Sequence, residues 1–140
     1  MSRHPENSPG TFANYTRVVT EGNYGGSTVQ STDTLPNFVP EFANLGLSYN
    51  YRRLSLSGKW NYKSRTLFTY SSNAGSLRYV PTRATIDLNL RFVLTERLSL
   101  YADVINLTRE PVLFERGVAG RIDNRTDYGQ KISFGISGRY

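Results

Sequence analysis

Apolar and polar residues alternate with a period of two along most of the chain from residue 43 onward. In the first such segment, one side carries Ala43, Leu45, Leu47, Tyr49 and Tyr51, and the other side carries Asn, Gly, Ser and Arg. A period of two is that of a β-strand with one apolar and one polar face. The pattern therefore predicts a strand over residues 43–52.

The same pattern recurs in the rest of the chain. It predicts further strands over residues 54–63, 84–92, 98–104 and 131–140. A weaker strand is predicted over residues 11–19, where Arg17 interrupts the apolar side formed by Ala13, Tyr15 and Val19. The longer segments approach the roughly 9–11 residues that a tilted strand needs to cross a bilayer. Strands of soluble proteins are more often about 5–6 residues long.

Short and long connections alternate between the predicted strands. Two connections are tight, around Arg52-Arg53 and around Thr95, and three are long and polar, over residues 20–41, 65–81 and 107–129. Transmembrane barrels alternate in this way, with short turns on one rim and long loops on the other. The chain is therefore predicted to be all-β, an antiparallel up-and-down transmembrane β-barrel segment of about six strands, which is a partial barrel. A soluble two-layer protein is the alternative, because alternation does not say which face meets water.

Aromatic residues lie near both ends of the predicted strands. If the last strand runs toward the periplasm, the periplasmic rim carries Tyr49, Tyr51, Phe92 and Tyr140, and the outer rim carries Trp60 and Tyr62. Aromatic side chains favour both interfaces of a bilayer. We therefore expect these to be membrane-interface residues, and the alternative is that the rings cap a soluble core.

Composition narrows the possible function classes. The net charge is +6, but the basic residues are spread along the chain, so nucleic-acid binding is not expected. There is no Cys, and the single His4 lies in a polar leader, so we expect neither a metal site nor another cofactor. Asp87 and Asp103 face the same side of neighbouring strands and are interpreted as charges facing a polar interior. No catalytic residues are assigned, and the chain is not expected to be an enzyme.

Several motifs follow one another in the C-terminal part of the chain. The stretch YVPTRATIDLNLRFVLTERLSLYADVINLTREP contains Asn106-Leu107-Thr108 and Glu110-Pro111, and YGQKISFGISGRY ends the chain on Tyr140. Together they resemble the C-terminal end of TonB-dependent outer-membrane receptors. Residues 42–67 are similar to the preceding hairpin of that family, and ANYT at 13–16 to an earlier strand. The resemblance covers residues 11–140, which leaves 1–10 as a polar leader or turn.

The resemblance implies a function, a location and partners. It implies a multi-pass β-barrel in the outer membrane of a Gram-negative cell and TonB-dependent uptake of a siderophore-type or other bulky nutrient ligand. The implied partners are outer-membrane lipid and lipopolysaccharide, the barrel-assembly machinery, the remaining barrel and plug, and TonB through an N-terminal part not found in this sequence. Plugged transporters have roughly 22 strands, so a chain with about six is expected to be a fragment, a truncated gene product or a domain that needs the rest of its barrel. The alternative is a small oligomeric structural or pore-forming outer-membrane β-barrel protein.

The resemblance also suggests two sets of site residues. The last strand resembles the signal read by the outer-membrane assembly machinery, which Ile132, Phe134, Ile136 and Tyr140 would carry. In the loops, rings and guanidinium groups suit aromatic, anionic chelates. The candidate ligand contacts are Tyr70, Arg78, Tyr79, Phe114, Arg116, Arg121 and Arg125. The alternatives are ordinary lipid-facing residues for the first set, and solvated loop residues or lipopolysaccharide contacts for the second.

Overall fold

The computed structural model describes residues 7–25 and 30–139, so that His4 and Tyr140 lie outside the described residues. The strands are β1 (Ser8–Arg17), β2 (Glu41–Tyr51), β3 (Leu54–Lys63), β4 (Thr66–Thr69), β5 (Arg78–Val80), β6 (Arg83–Thr95), β7 (Leu98–Ile105), β8 (Val112–Arg116), β9 (Ile122–Thr126) and β10 (Lys131–Gly138), with a short 3-10 turn at Ala74–Ser76. They form two antiparallel sheets, which confirms the predicted all-β, antiparallel class. No helix in this part of the chain is long and apolar enough to span a membrane.

The main sheet has six strands in the order β1-β2-β3-β6-β7-β10. Each strand pairs antiparallel with its neighbours, and these strands follow the same order along the chain, so the predicted six-stranded meander is confirmed. The sheet is open, and β1 and β10 are its edges. No described residue pairs with the outer side of either edge strand.

The first strand differs from its prediction in both bounds. It begins at Ser8 and ends at Arg17, whereas residues 11–19 were expected, so part of the predicted leader is strand. The cause is β2, which continues far enough to pair Ser8 with Asn50 and Pro9 with Tyr49. Pairing with a long neighbour thus sets the bounds of β1, whose own alternation is weak.

The register of the main sheet brings apolar residues of neighbouring strands together. Leu45 lies opposite Trp60, and Trp60 lies opposite Ile86. Further along the sheet, Val104 lies opposite both Leu88 and Ile132. Because side chains two residues apart share a face, this register creates one apolar face that extends from β2 to β10.

No described residue covers this apolar face. Leu47, Ile136 and Phe134 are 59%, 67% and 84% exposed. The buried hydrophobic residues in the described part of the chain are Leu67, which lies in β4, and Leu77, which immediately precedes β5. A soluble monomer rarely exposes so large an apolar surface. The main sheet therefore has no hydrophobic core within the described residues.

The opposite face of the main sheet is polar. Asp87, opposite Lys59 in the register, accepts hydrogen bonds from the Asn61 side chain and the Asn106 N–H, both at 2.9 Å. The side-chain amide of Asn89 likewise donates to the Asp103 carboxylate. These hydrogen bonds link polar side chains of β6 to β3, to β7 and to the residue that follows β7.

Two aromatic rings lie over glycines on this polar face. Phe12 is opposite Gly46, and Tyr101 is opposite Gly135. A Cβ added at either glycine would overlap the facing ring. An aromatic ring over a glycine on the next strand shields the bare backbone and helps to fix strand register. Glycine is therefore required at both positions as long as the ring is present.

The long connections contain strands that the alternation pattern does not predict. Residues 65–81 and 107–129, expected to be loops, include the four strands of the second sheet, in the order β4-β5-β8-β9. The β5–β8 pair joins the connection between β3 and β6 to the connection between β7 and β10. The expected sorting is confirmed, since the turns at Arg52-Arg53 and Glu96-Arg97 lie at one end of the main sheet and the long connections at the other.

Candidate functional site

The second sheet brings several candidate ligand contacts together. In the β5–β8 pair, Arg78 lies opposite Arg116 and Tyr79 lies opposite Glu115. Phe114 precedes Glu115 and Arg116 on the same strand. Backbone pairing between two separate connections thus places Arg78, Tyr79, Phe114 and Arg116 on adjacent strands.

A buried carboxylate lies at the centre of this sheet. Glu115 is 7% exposed, and its Oε2 accepts a hydrogen bond from Arg65 Nε at 2.9 Å. Its Oε1 accepts a hydrogen bond from the Gly120 N–H at 2.7 Å. The Arg65 guanidinium also lies over the ring of Tyr79, with its carbon 3.6 Å from the ring centroid. The cation therefore has both a carboxylate and an aromatic face as partners.

A second carboxylate is shared by two arginines. Asp123 Oδ2 lies 3.1 Å from Arg78 Nε, and Asp123 Oδ1 lies 3.0 Å from Arg116 Nη2. The Arg78 guanidinium carbon is 5.1 Å from the centroid of the Phe114 ring, which meets the Phe68 ring edge-on at 5.0 Å between centroids. One carboxylate cannot neutralise two guanidinium groups, so this arrangement keeps one net positive charge next to two aromatic rings.

Tyr70 lies in a different contact from the other candidates. Its ring stacks on Tyr24, with 3.5 Å between centroids and 8° between planes. The Tyr24 hydroxyl donates to the carbonyl of Thr34 at 2.5 Å. Burial raises the pKa of Tyr24 above its ordinary value, and neighbouring Tyr70 and Asp33 raise it further. The stack joins the connection after β1 to the connection after β3.

Arg121 and Arg125 lie apart from the shared carboxylate. Arg125 Nε is 3.0 Å from Asp127 Oδ2, and both side chains are 59% exposed. Hydrogen bonding to Asp127 raises the pKa of Arg125, which is charged in any case. The carbonyl of Arg121 accepts a hydrogen bond from the Arg116 N–H at 3.0 Å, which closes the β8–β9 turn. The structure therefore does not gather all the candidate ligand contacts into one site.

The motif Asn106-Leu107-Thr108 begins the connection after β7. Asn106 has a φ of 57° and is 7% exposed. Its side-chain amide donates to the carbonyls of Glu110 at 3.0 Å and Gly129 at 2.8 Å, and its oxygen accepts from the Glu110 N–H at 2.9 Å. Asn tolerates a left-handed conformation better than most residues and offers both donor and acceptor groups. Asn106 thus anchors both ends of this connection to each other.

Within the described part of the chain, the remaining predicted residues lie on the strand faces and at the strand ends that the alternation indicates. Ile132, Phe134 and Ile136 point from the apolar face of edge strand β10, whereas Tyr140 lies outside the described residues. At the short-turn end the register aligns Tyr51, Leu54 and Phe92, with Tyr49 on the same face. At the long-connection end Trp60 stacks with Tyr62, at 5.7 Å between centroids. Their contact with a membrane interface and the assembly-signal role stay predictions.

No pattern along the chain indicates the two carboxylates of the second sheet, Glu115 and Asp123. The same is true of Arg65 and Phe68, which lie beside them. Arg65 and Glu115 are 50 positions apart, and no local pattern indicates that they meet. Asp123 was also missed, because an acidic residue in a polar connection is unremarkable without its partners. Residue type indicated two of the cations and two of the rings, whereas the positions of the carboxylates follow only from the pairing of β5 with β8 and of β8 with β9.

Comparison of the chain with protein-family models, with curated proteins and with solved structures finds no match. The resemblance to TonB-dependent receptors therefore rests on the sequence motifs given above.

Substitution of Glu115 by Gln tests whether its charge holds the second sheet together. The variant keeps the side-chain size but removes the negative charge that pairs with Arg65. We expect local opening of β5 and β8 to become easier by about 2 kcal/mol, because a part-buried cation loses its partner. Hydrogen exchange of the amides in β5 and β8 measures this change.

Asp127→Asn is the matched control, since it removes a carboxylate from the exposed pair with Arg125. An exposed pair contributes about 0–1 kcal/mol, so protection of β5 and β8 should be unchanged. Equal protection in the wild-type chain and Glu115→Gln would contradict the structural role of the buried pair.

Proposed function

We propose that this chain forms part of the wall of an outer-membrane β-barrel receptor of the TonB-dependent class, which takes up a siderophore-type or other bulky nutrient ligand. The observation that carries the proposal is the main sheet, with one continuous uncovered apolar face and one polar face. In water such a face is unfavourable at about 25 cal/mol per Å² of apolar surface. In a membrane barrel it is the surface that contacts lipid.

The dimensions of the main sheet support a membrane location. Strands β2, β3 and β6 have 11, 10 and 13 residues. A tilted strand needs roughly 9–11 residues to cross the hydrocarbon core. The sorting of short turns to one end and long connections to the other matches the periplasmic and outer rims of such barrels.

The open edges require partners in a membrane. Unpaired backbone groups in hydrocarbon cost several kcal/mol each, so β1 and β10 need neighbouring strands. Further strands of a receptor would supply them, and the motif centred on Asn106 favours this source. Copies of the same chain would also supply them, so the open edges support the alternative of a small oligomeric structural or pore-forming barrel.

The second sheet supports a ligand role for the outer rim. It combines the aromatic rings of Phe68 and Phe114 with the net positive charge that Arg78 and Arg116 keep beside Asp123. Aromatic and anionic chelates complement such a surface. Arg65 contributes less, because Glu115 already neutralises it.

Fluorescence of Trp60 tests the lipid-facing orientation. It is the only Trp of the chain and lies on the apolar face at 38% exposure. The protein is purified from outer membranes and reconstituted into phosphatidylcholine vesicles with brominated acyl chains. The fluorescence component that disappears in Trp60→Phe should be quenched, because bromine quenches tryptophan on contact.

A Trp on the polar face serves as the control. In the Trp60→Phe background, Ser57→Trp places the ring on the face that carries Lys59 and Asp87. Its emission should be insensitive to brominated lipid. If brominated lipid quenches the Ser57→Trp ring and leaves Trp60 unquenched, the polar face and not the apolar face contacts lipid, and the proposal is rejected.

The size of the assembled protein separates the two functions. Outer membranes are run unheated and heated on a denaturing gel and probed with an antibody against residues 112–126. If the band shifts on heating, and if its apparent mass after heating is far larger than that of a 140-residue chain, the result supports a receptor. If the heated band has the mass of a single chain and the unheated band has a multiple of that mass, the result rejects the receptor and supports the oligomeric barrel.

Uptake measurements test the transport class directly. Deletion of the gene should abolish energy-dependent uptake of at least one ferric siderophore, and restoration of the gene should recover it. Asp123→Asn removes the shared carboxylate and raises the positive charge, so it should change the apparent ligand affinity in the restored strain. Unchanged uptake of every chelate in the deletion strain would reject siderophore transport.

A further inference from the structure

The two ends of the main sheet differ in how their charges are neutralised. Every ion pair between described residues lies at the long-connection end. The short-turn end carries Arg52, Arg53, Arg97 and Arg139, with Glu96 as the acidic residue of its turns. None of these four guanidinium groups lies within 4.0 Å of a described carboxylate. The short-turn end thus has an excess of positive charge that the described residues do not neutralise.

A groove of about 710 Å³ lies at the first short turn. It is lined by Tyr51, Leu54 and Phe92 and by the two turn residues Arg52 and Arg53. The register aligns Tyr51, Leu54 and Phe92 across three neighbouring strands, so the groove floor continues the apolar face of the main sheet. An apolar floor with two cations at its end complements an amphipathic anion.

The turn leaves most of the guanidinium donors available. Arg53 Nη1 donates one hydrogen bond, to the carbonyl of Leu94 at 3.1 Å. The Arg52 guanidinium carbon lies 5.3 Å from the centroid of the Tyr51 ring. Arg52 has a φ of 51°, which Gly or Asn adopts more easily, so the turn conformation gives no reason for an arginine there. Each guanidinium has five N–H donors, and an external acceptor can engage those that remain.

We infer that this groove binds an anionic phospholipid, with its phosphate against Arg52 and Arg53 and an acyl chain over Leu54 and Phe92. The inference rests on the proposed function, which places the apolar face in lipid. Guanidinium groups bind phosphate oxygens in a two-pronged geometry that an ammonium group does not offer. Short turns lie on the periplasmic rim of such barrels, so the lipid belongs to the inner leaflet.

Native mass spectrometry of the protein extracted from membranes into detergent tests this site. Phosphatidylglycerol is titrated against the wild type and against a variant with Arg52→Asn and Arg53→Gln, in which Asn tolerates the positive φ. We expect about a tenfold loss of affinity, since two charge-assisted contacts disappear. Phe92→Ala is a second variant, which keeps the charge and should weaken binding through the lost acyl-chain contact.

The matched control removes two charges from the opposite end, with Arg109→Gln and Lys131→Gln, and should bind phosphatidylglycerol as the wild type does. Equal affinity of the turn variant and this control would overturn the inference, and so would equal wild-type affinity for phosphatidylglycerol and phosphatidylcholine. Displacement of the lipid by inorganic phosphate alone would also overturn it, because the groove would then be an ion site. If brominated lipid quenches Trp60 but the turn variant binds phosphatidylglycerol as the wild type does, the lipid site is rejected and the proposed membrane function stands. If Trp60 is not quenched, the lipid site and the membrane function are both rejected.

Discussion

Backbone hydrogen bonds between antiparallel strands hold this molecule together, because side-chain burial contributes little within the described residues. Leu67 and Leu77 are the hydrophobic residues buried there, and neither lies in the main sheet. A soluble sheet is stabilised mainly by covering its apolar face, whereas a sheet in lipid depends on pairing every N–H and C=O group. The main sheet satisfies its ladder internally except along β1 and β10. The environment of the apolar face and the partners of these two edges are therefore linked questions, and the proposed barrel would answer both, with lipid on the face and neighbouring strands along the edges.

Alternation with a period of two was sufficient to predict the six strands of the main sheet and their order. Long strands display their faces repeatedly, so a local pattern carries the information. The same pattern does not reveal β4, β5, β8 and β9, which have three to five residues and show at most three residues on one face. The sheet that they form depends on pairing between two distant connections, as of Tyr79 with Glu115. The bounds of β1 were displaced for a similar reason, because its partner β2 fixes them.

The candidate site was predictable by residue type and not by charge balance. Arg78 and Arg116 were selected because guanidinium groups suit anionic chelates, and the structure places them on adjacent strands. Asp123 binds both, and no pattern along the chain indicates this arrangement. An anionic ligand at this position would therefore share the two arginines with Asp123. Its binding would depend on the one positive charge that Asp123 does not neutralise.

The pairing of β5 with β8 has a consequence for surface recognition. The two connections are far apart in sequence, yet they form one folded surface with exposed side chains such as Phe68 from the first connection and Ile122 from the second. An antibody raised against the folded protein would bind a discontinuous epitope contributed by both connections. A linear peptide copied from either connection alone would lack the partner strand that gives the surface its shape, and so would be a poor mimic of that epitope.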